Sequence, residues 1–327
     1  MKVLLTGGTG FVGLNIAEAL LEEGIDIVMY ATSPPRPEAL TELQKKKGHL
    51  HFFEGNVLDK AGLDAAFSTF GINAVIHGAA ITPDELREAS EGALVLQVNC
   101  VGTIEVLEAA RRHAVHKFIY LSSIAAYGSA TKTAELLQEE TTVMEPVNLY
   151  EITKFAAERI ALRYRELTGM NVIAARLGDI FGPWEHKTGV RDVMSAPFQT
   201  TRLAMLGQEA LLPRSGFKHW VYSRDVAASV VSLLKAERLN HPIYNVSSPY
   251  AWSVEDWCAL LAGKYPDFRY RIQTSPDLAN VRLFDDNAPM EITRLTEDTG
   301  YEAQFDLYKS FADYKAWLEK HGALLSE

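Results

Sequence analysis

Tyr150 and Lys154 stand four residues apart in NLYEITKFAAERIALRYREL (148–167), the only Y-x-x-x-K in the chain. That spacing puts both side chains on one face of a helix, a phenol and an ammonium one turn apart. A free phenol titrates near 10, so a base working near neutrality needs a shift of about three units, roughly 4 kcal/mol. A nearby ammonium is the kind of charge that supplies it. The pair alone says little, since chance gives about 0.6 such pairs in a chain of this composition. Its setting says more. Ser123 lies 27 residues earlier, at the end of the strand-like FIYLSS (118–123). A hydroxyl there can steady an oxygen whose proton a phenol exchanges.

The chain opens MKVLLTGGTGFVG, a strand-forming run that meets Gly7, Gly10 and Gly13 in the order G-x-x-G-x-x-G, followed by the helical LNIAEALLEEG. A strand that stops at glycine and restarts as a helix leaves backbone N–H groups without partners. With the helix dipole, those donors suit the phosphates of a dinucleotide. Gly7 permits the turn, Gly10 lets a phosphate approach and Gly13 allows close packing of the helix. Glycine triplets are common, but this one has the strand before it and the helix after it that a dinucleotide fingerprint requires.

The elements that would position these residues follow a clear rhythm. Strand-like runs at 2–6, 26–30, 50–53, 74–77, 117–121 and 172–176 alternate with helical patterns such as 14–23, ended by Gly24, and 93–113. Continuous apolar strands separated by helices predict a parallel sheet covered on both faces. With right-handed crossovers this becomes an α/β, Rossmann-like, doubly wound sheet. After Gly182 the rhythm breaks into Pro, Gly and charges. A strand is expected at 241–247, a helix opened by Ser253 at 253–265 and an amphipathic helix at 306–322. The expected plan is a cofactor domain over 1–182, also taking in roughly 219–248, and a smaller C-terminal substrate lobe over 183–327.

Composition narrows the class. The 327 residues are 47% hydrophobic and 23% charged, as in an ordinary globular protein, and the net charge is −10. That charge argues against nucleic acid or an anionic membrane as partner. The two cysteines, Cys100 and Cys258, and the histidines show no metal-ligand spacing, so no metal is expected. No run of eighteen apolar residues appears, and the chain enters a strand at Lys2 without a charged leader. A cytoplasmic, reduced setting is the expectation.

Taken together, the glycine motif, SSIAAYG (122–128) and YEITK (150–154) resemble the extended short-chain dehydrogenase/reductase proteins, the NAD-dependent epimerase/dehydratase family. The likeness continues through RLGDIFGPW (176–184), HWVYSRDVAASVVSLL (219–234), YNVSS (244–248) and EITRLTEDTGY (291–301). It implies a Ser123/Tyr150/Lys154 site in which Tyr150 exchanges the proton of a substrate hydroxyl and Ser123 steadies the oxygen. Lys154 would hold the nicotinamide ribose and lower the phenol's pKa. Gly10, Phe11 and Val12 would touch the pyrophosphate, and Asn56 and Val57 would flank the adenine. Gly78, Ala79 and Ala80 would line the ribose and pyrophosphate, with Asn99, Leu177 and Ile180 completing the groove. Thr82 is expected on the substrate side. His77 reads as a packed residue at a strand end, and Asn99 equally as a structural hydrogen-bonding residue.

Two departures from the family pattern bear on ligands. The carboxylate that grips an NAD ribose is expected about twenty residues past the glycines, and Ala31 stands there, followed by Thr32, Ser33 and Arg36. Its loss removes a repulsion of about 3 kcal/mol per unit charge at 5 Å, so NADP is slightly favoured over NAD. In the family's nucleotide-sugar epimerases an asparagine commonly faces the substrate diphosphate where this chain has Asp179. A fixed carboxylate near a diphosphate would again cost about 3 kcal/mol per charge pair at 5–6 Å. A sugar, polyol or sugar acid without a nucleotide is therefore the leading substrate. Lys218 and Arg282 can still receive a phosphate or carboxylate, which keeps a nucleotide-sugar epimerase or dehydratase with transient oxidation as the alternative. A third reading is a cofactor-sensing protein without catalysis, which has no need of Ser123, Tyr150 and Lys154 in register. Apolar stripes on the helices at 93–113 and 149–167, together with the family's habit of pairing them, point to a C2 homodimer.

Overall fold

The computed structural model describes residues 1–325. Along each central strand, successive side chains fall into two different apolar cores. In β1 (Lys2–Thr6), Val3 and Leu5 face one core and Leu4 the other. In β2 (Asp26–Ala31), Ile27 and Met29 oppose Val28 and Tyr30 in the same way. Alternation that is apolar on both sides requires helices on both faces of the sheet. They are α1 (Phe11–Glu22) and α6 (Ser223–Lys235) on one face, and α2 (Lys60–Phe70), α4 (Gly102–Arg112) and α5 (Leu149–Thr168) on the other.

The remaining strands are β3 (Leu50–Glu54), β4 (Ala74–His77), β5 (Lys117–Ser123), β6 (Val172–Leu177) and β7 (Ile243–Val246). All seven are parallel, in the order β7-β6-β5-β4-β1-β2-β3. The strand order reverses between β1 and β4, and that switch point opens a crevice at the carboxyl edge. The run at 241–247 thus supplies a seventh strand beside β6, and the helix between, α6 (Ser223–Lys235), packs on α1's face of the sheet.

Helix boundaries follow their caps. α1 begins at Phe11, three residues before the apolar periodicity, because Gly10 is its N-cap. α5 is opened by a capping box in which Asn148 accepts from Glu151 N–H and Glu151 reaches back, and it ends at Gly169 in a left-handed conformation. The expected helix at 93–113 is longer and interrupted. α3 (Glu85–Leu96) starts it, a π turn at Gln97–Val101 follows, and α4 continues to Arg112. ELREASEG (85–92) is too polar to show the period, and only the N-cap Asp84 marks the start. By length and composition the whole stretch Glu85–Arg112 could span a membrane, yet half of its apolar window is buried inside the protein. Beyond β6, the short strands Asp179–Phe181 and Trp220–Tyr222 pair in parallel. The helices Val254–Lys264 and Leu307–His321 close the C-terminal part.

Candidate active site

Lys154 fixes the register of the helix against the sheet. Its Nζ donates to the Leu121 carbonyl of β5 at 2.5 Å, with the Tyr120 ring 4.8 Å below it. Going one turn towards the start of α5 climbs about 5.4 Å and reaches Tyr150. Going two residues along β5 climbs about 6.6 Å and reaches Ser123. Strand and helix run antiparallel, so one bond sets the phenol and the hydroxyl level at the carboxyl edge. Both are half-buried. The Ser123 Oγ accepts from Ala125 N–H at 3.1 Å, which leaves its own proton to be donated to a ligand oxygen.

The surroundings of Lys154 are dry. Burial pulls its pKa down to about 8, while the Glu158 carboxylate one turn further on opposes the fall. Glu158 forms a fork with Arg176 of β6, with bonds of 3.0 and 2.6 Å, and also accepts from Ser122 Oγ at 2.7 Å. The guanidinium lies over the Tyr127 ring and donates to the Glu139 carbonyl. The adjacent serines therefore divide their work. Ser122 is buried and spent inside the protein, whereas Ser123 faces the crevice edge.

The fourth strand is braced by a neutral histidine. Thr6 Oγ1 accepts from Gly78 N–H and Ala79 N–H, so its proton goes to His77 Nδ1 at 2.7 Å. His77 Nε2–H then meets Thr103 Oγ1 at 2.9 Å. Burial, and next the charge of Lys154, hold its pKa down to about 3. Asn99, in the π turn, spends its amide on bracing as well. It pairs with both backbone groups of Ile81 and donates to Thr153 Oγ1 at 3.0 Å, so its side chain joins the β4 loop to α5 instead of facing the groove.

The glycines form a cradle that side chains would fill. A Cβ on Gly7, whose φ is +69°, would stand 2.9 Å from Ala79 N, and one on Gly13 would stand 2.2 Å from Gly7 O. The N-terminus of α1 has no side-chain cap and no acidic residue in its first turn. A dinucleotide pyrophosphate fits that chemistry: free N–H groups, a positive helix end and room for close approach. Gly10, Phe11 and Val12 form one rim, and Gly78, Ala79 and Ala80 the other. Val57 is buried, with its Cγ2 2.6 Å from where a Cβ on Gly102 would be, and Asn56 is exposed at the outer end. Leu177 pairs across from Ser123, and Ile180 stands half-buried in the strand beyond. Thr32 and Ser33 are exposed past the end of β2, with Arg36 capping the short helix Pro37–Leu43.

On the substrate side the structure gives Asp179 two partners. Its Oδ1 lies 3.3 Å from Lys218 Nζ, and its Oδ2 accepts from Asn287 at 2.8 Å. Lys218 is only 2% exposed and is held within this pair, so it is no free phosphate receptor. Charge at this place is balanced. Arg282 is exposed, 4.0 Å from Asp84, and lines an open cleft of ≈ 370 Å³ with Gln199, Pro213 and Asn280, apart from Ser123, Tyr150 and Lys154. Thr82 pairs with Arg191 in an isolated bridge, where residues 183–192 cross from α1 to the β4 loop. Among the described residues no group of three His, Cys, Asp or Glu could hold a metal.

The glycine cradle, the crevice and the Ser/Tyr/Lys register coincide with a match over residues 3–247 to the NAD dependent epimerase/dehydratase family. The chain belongs to that family. It is an NAD(P)-dependent enzyme of the extended short-chain dehydrogenase/reductase type. Human dTDP-D-glucose 4,6-dehydratase is 27% identical over 260 residues, covering 77% of this chain and 71% of that protein. Vestitone reductase of Medicago sativa is 26% identical over 333 residues, covering 95% of each. The solved UDP-glucuronic acid 4-epimerase of Bacillus cereus, in complex with UDP-glucuronic acid and NAD, superposes with a TM-score of 0.81. At 18% identity over 98% of this chain and all of that one, the superposition speaks for the fold.

Within this member of the epimerase/dehydratase family, sequence reasoning missed the Glu158–Arg176 pair and the crossing segment that carries Arg191. Glu158 has a sequence signal, four residues past Lys154 on the same helix face. Arg191 has none.

Proposed function

We propose that the enzyme transfers hydride at a secondary hydroxyl of a sugar, polyol or sugar acid that carries no nucleotide. The balanced Asp179–Lys218–Asn287 cluster carries this reading. A diphosphate would have to draw Lys218 from Asp179, whereas hydroxyl groups can give to the carboxylate as they stand. Asp179 lies two residues past Leu177, which pairs with Ser123, so the cluster sits next to the reacting edge.

Tyr150 takes the proton from the substrate hydroxyl, and the Ser123 proton holds the oxygen through the change in its charge. Lys154 keeps the helix in register through Leu121. When bound, the nicotinamide supplies the hydride acceptor. The cofactor is NADP in preference to NAD, because β2 itself ends at Ala31 without the carboxylate that grips an NAD ribose and Thr32, Ser33 and Arg36 follow, the nearest strand-end carboxylate being Glu54 of β3 opposite Ala31. Residues 1–182 with 219–248 hold the cofactor, and the rest of 183–327 holds the substrate.

The enzyme works in the cytoplasm as a homodimer. Most apolar residues of α4 and α5 face the core, so those stripes argue for packing alone. The residues that speak for a partner are Leu94, Leu96, Val101, Val147 and Ile152, all exposed. A nucleotide-sugar epimerase or dehydratase is the second reading, favoured by the names of the dehydratase and epimerase relatives. A panel of sugars, sugar acids and nucleotide sugars, each with NAD and NADP, tests both when followed for nicotinamide absorbance and isomer formation. Net reduced cofactor with a free sugar or sugar acid is expected. Isomer formation from a nucleotide sugar without net reduction would replace the first reading with the second.

A further inference from the structure

Residues 183–192 run as a strap from one rim of the dinucleotide groove to the other. At α1, Asn15 donates to the Pro183 carbonyl at 2.8 Å and Trp184 Nε1 reaches Glu18 at 3.2 Å. At the far rim, Thr82 N–H donates to Val190 O at 2.7 Å, and Arg87 donates to Gly189 O at 2.6 Å. Between these anchors Arg191 lies over the Phe11 ring, 5.3 Å from its centroid, above the uncapped start of α1. Its Nε donates to Val193 O at 3.0 Å, and its Nη2 is 3.2 Å from Glu185. Glu185 is itself fixed, buried and accepting from both Ser195 N–H and Ser195 Oγ at 2.6 Å. The remaining carboxylate of the strap, Asp192, is turned towards Arg87 and Asp84 N–H.

We propose that Arg191 binds the pyrophosphate of the dinucleotide, its guanidinium held over the N-terminus of α1 by this strap. A helix end offers only about half a positive charge, and a pyrophosphate brings about two negative ones. Glu185 offsets part of the Arg191 charge, but a guanidinium has five donors where an ammonium has three, and the Nη donors not spent on Glu185 are left for a ligand in fork geometry. The inference rests on the dinucleotide reading of the groove.

Direct calorimetric titration with NADP, NAD and ADP-ribose, using the full chain, tests it without turnover. Arg191→Gln should weaken ADP-ribose binding about tenfold or more, the loss of a charge-assisted contact. It should also flatten the fall of affinity with salt, since one screened charge is gone. Arg191→Lys should recover part of the affinity, and it remains readable if the Gln variant folds poorly. Unchanged ADP-ribose affinity and salt dependence in both variants, with wild type binding normally, overturns the role of Arg191 alone. Failure of wild type to bind any of the three ligands overturns the dinucleotide reading itself.

Discussion

Replacing Asp179 by Asn removes one charge from the cluster and changes little in shape. In the native cluster the carboxylate and Lys218 Nζ are 3.3 Å apart, a gross attraction of about 5 kcal/mol at an effective dielectric of 20. The Asp179→Asn side chain keeps an acceptor for Asn287 but leaves the buried Lys218 charge uncompensated. A diphosphate then gains twice, from the freed ammonium and from the lost repulsion of about 3 kcal/mol per unit charge at 5 Å. The increase in its affinity should be on the order of a hundredfold. A neutral polyol loses one charge-assisted bond, about 1.5–3 kcal/mol, and kcat/KM should fall by about ten- to a hundredfold. Stability must be followed beside activity, because breaking a buried pair costs about 3–5 kcal/mol. The assay pairs steady-state rates on the best free sugar or sugar acid with calorimetric binding of a nucleoside diphosphate sugar. Loss on the first and gain on the second is the expected signature. Equal rates on the neutral substrate would show that Asp179 does not touch it, and isomer formation from a nucleotide sugar would sink the reading altogether.

Tyr150→Phe should leave cofactor affinity near wild type by calorimetry and cut turnover below a tenth; a faster variant would remove Tyr150 from proton exchange. Lys154→Met gives a pH test in the protein without added cofactor. The folded pKa of about 8 lies below the ordinary lysine value of 10.5, so the unfolded chain binds more protons between those pH values and stability rises with pH there. Measured by urea unfolding, wild-type stability relative to the Met variant should climb by about 3 kcal/mol from pH 8 to 10.5, and a flat difference would contradict a Lys154 whose pKa is lowered by burial. Leu94, 40% exposed, and Val101, 37% exposed, should matter for assembly. A Leu94→Glu, Val101→Glu double variant should sediment as a monomer where wild type is a dimer, because a two-fold interface feels each change twice. An unaltered sedimentation coefficient would place the interface elsewhere.

What the sequence disclosed follows from the range of the forces involved. KVLLT, DIVMY, KFIYL and VIAAR form strands where their pattern predicts them because a strand buried on both faces needs nothing but apolar residues, and that is a local signal. The glycine cradle was readable for the same reason. Gly13 is dictated by its close approach to Gly7 and Gly8 within the same thirteen residues, and Gly7 by its own positive φ, although the backbone it meets, Gly78 and Ala79, lies far along the chain. The π turn was not readable. It arises where Asn99 is drawn to Ile81 and Thr153, partners 18 and 54 residues away, and composition around QVNCV is that of an ordinary helix.

The same distinction separates the chemistry from its substrate. Ser123, Tyr150 and Lys154 lie within 32 residues and are aligned by one strand, one helix and the bond from Lys154 to Leu121, so their register, read together with the family resemblance, could point to them. Asp179 was visible as a residue but not as a charge. Its effective charge is set by Lys218, 39 residues on, and its second hydrogen bond comes from Asn287, 108 residues on. An isolated carboxylate repels a phosphate, and a paired one asks the phosphate to break a salt bridge, so the direction of the inference stays while its cause changes. Arg191 goes further still, since nothing in KTGVRD marks one arginine out until the strap brings it over Phe11. On the proposed reading, selectivity rests on long-range pairings outside the seven-stranded sheet, such as Asp179 with Lys218 and Asn287, where substitutions leave that sheet intact, and the Asp179→Asn comparison reads that part of the structure directly.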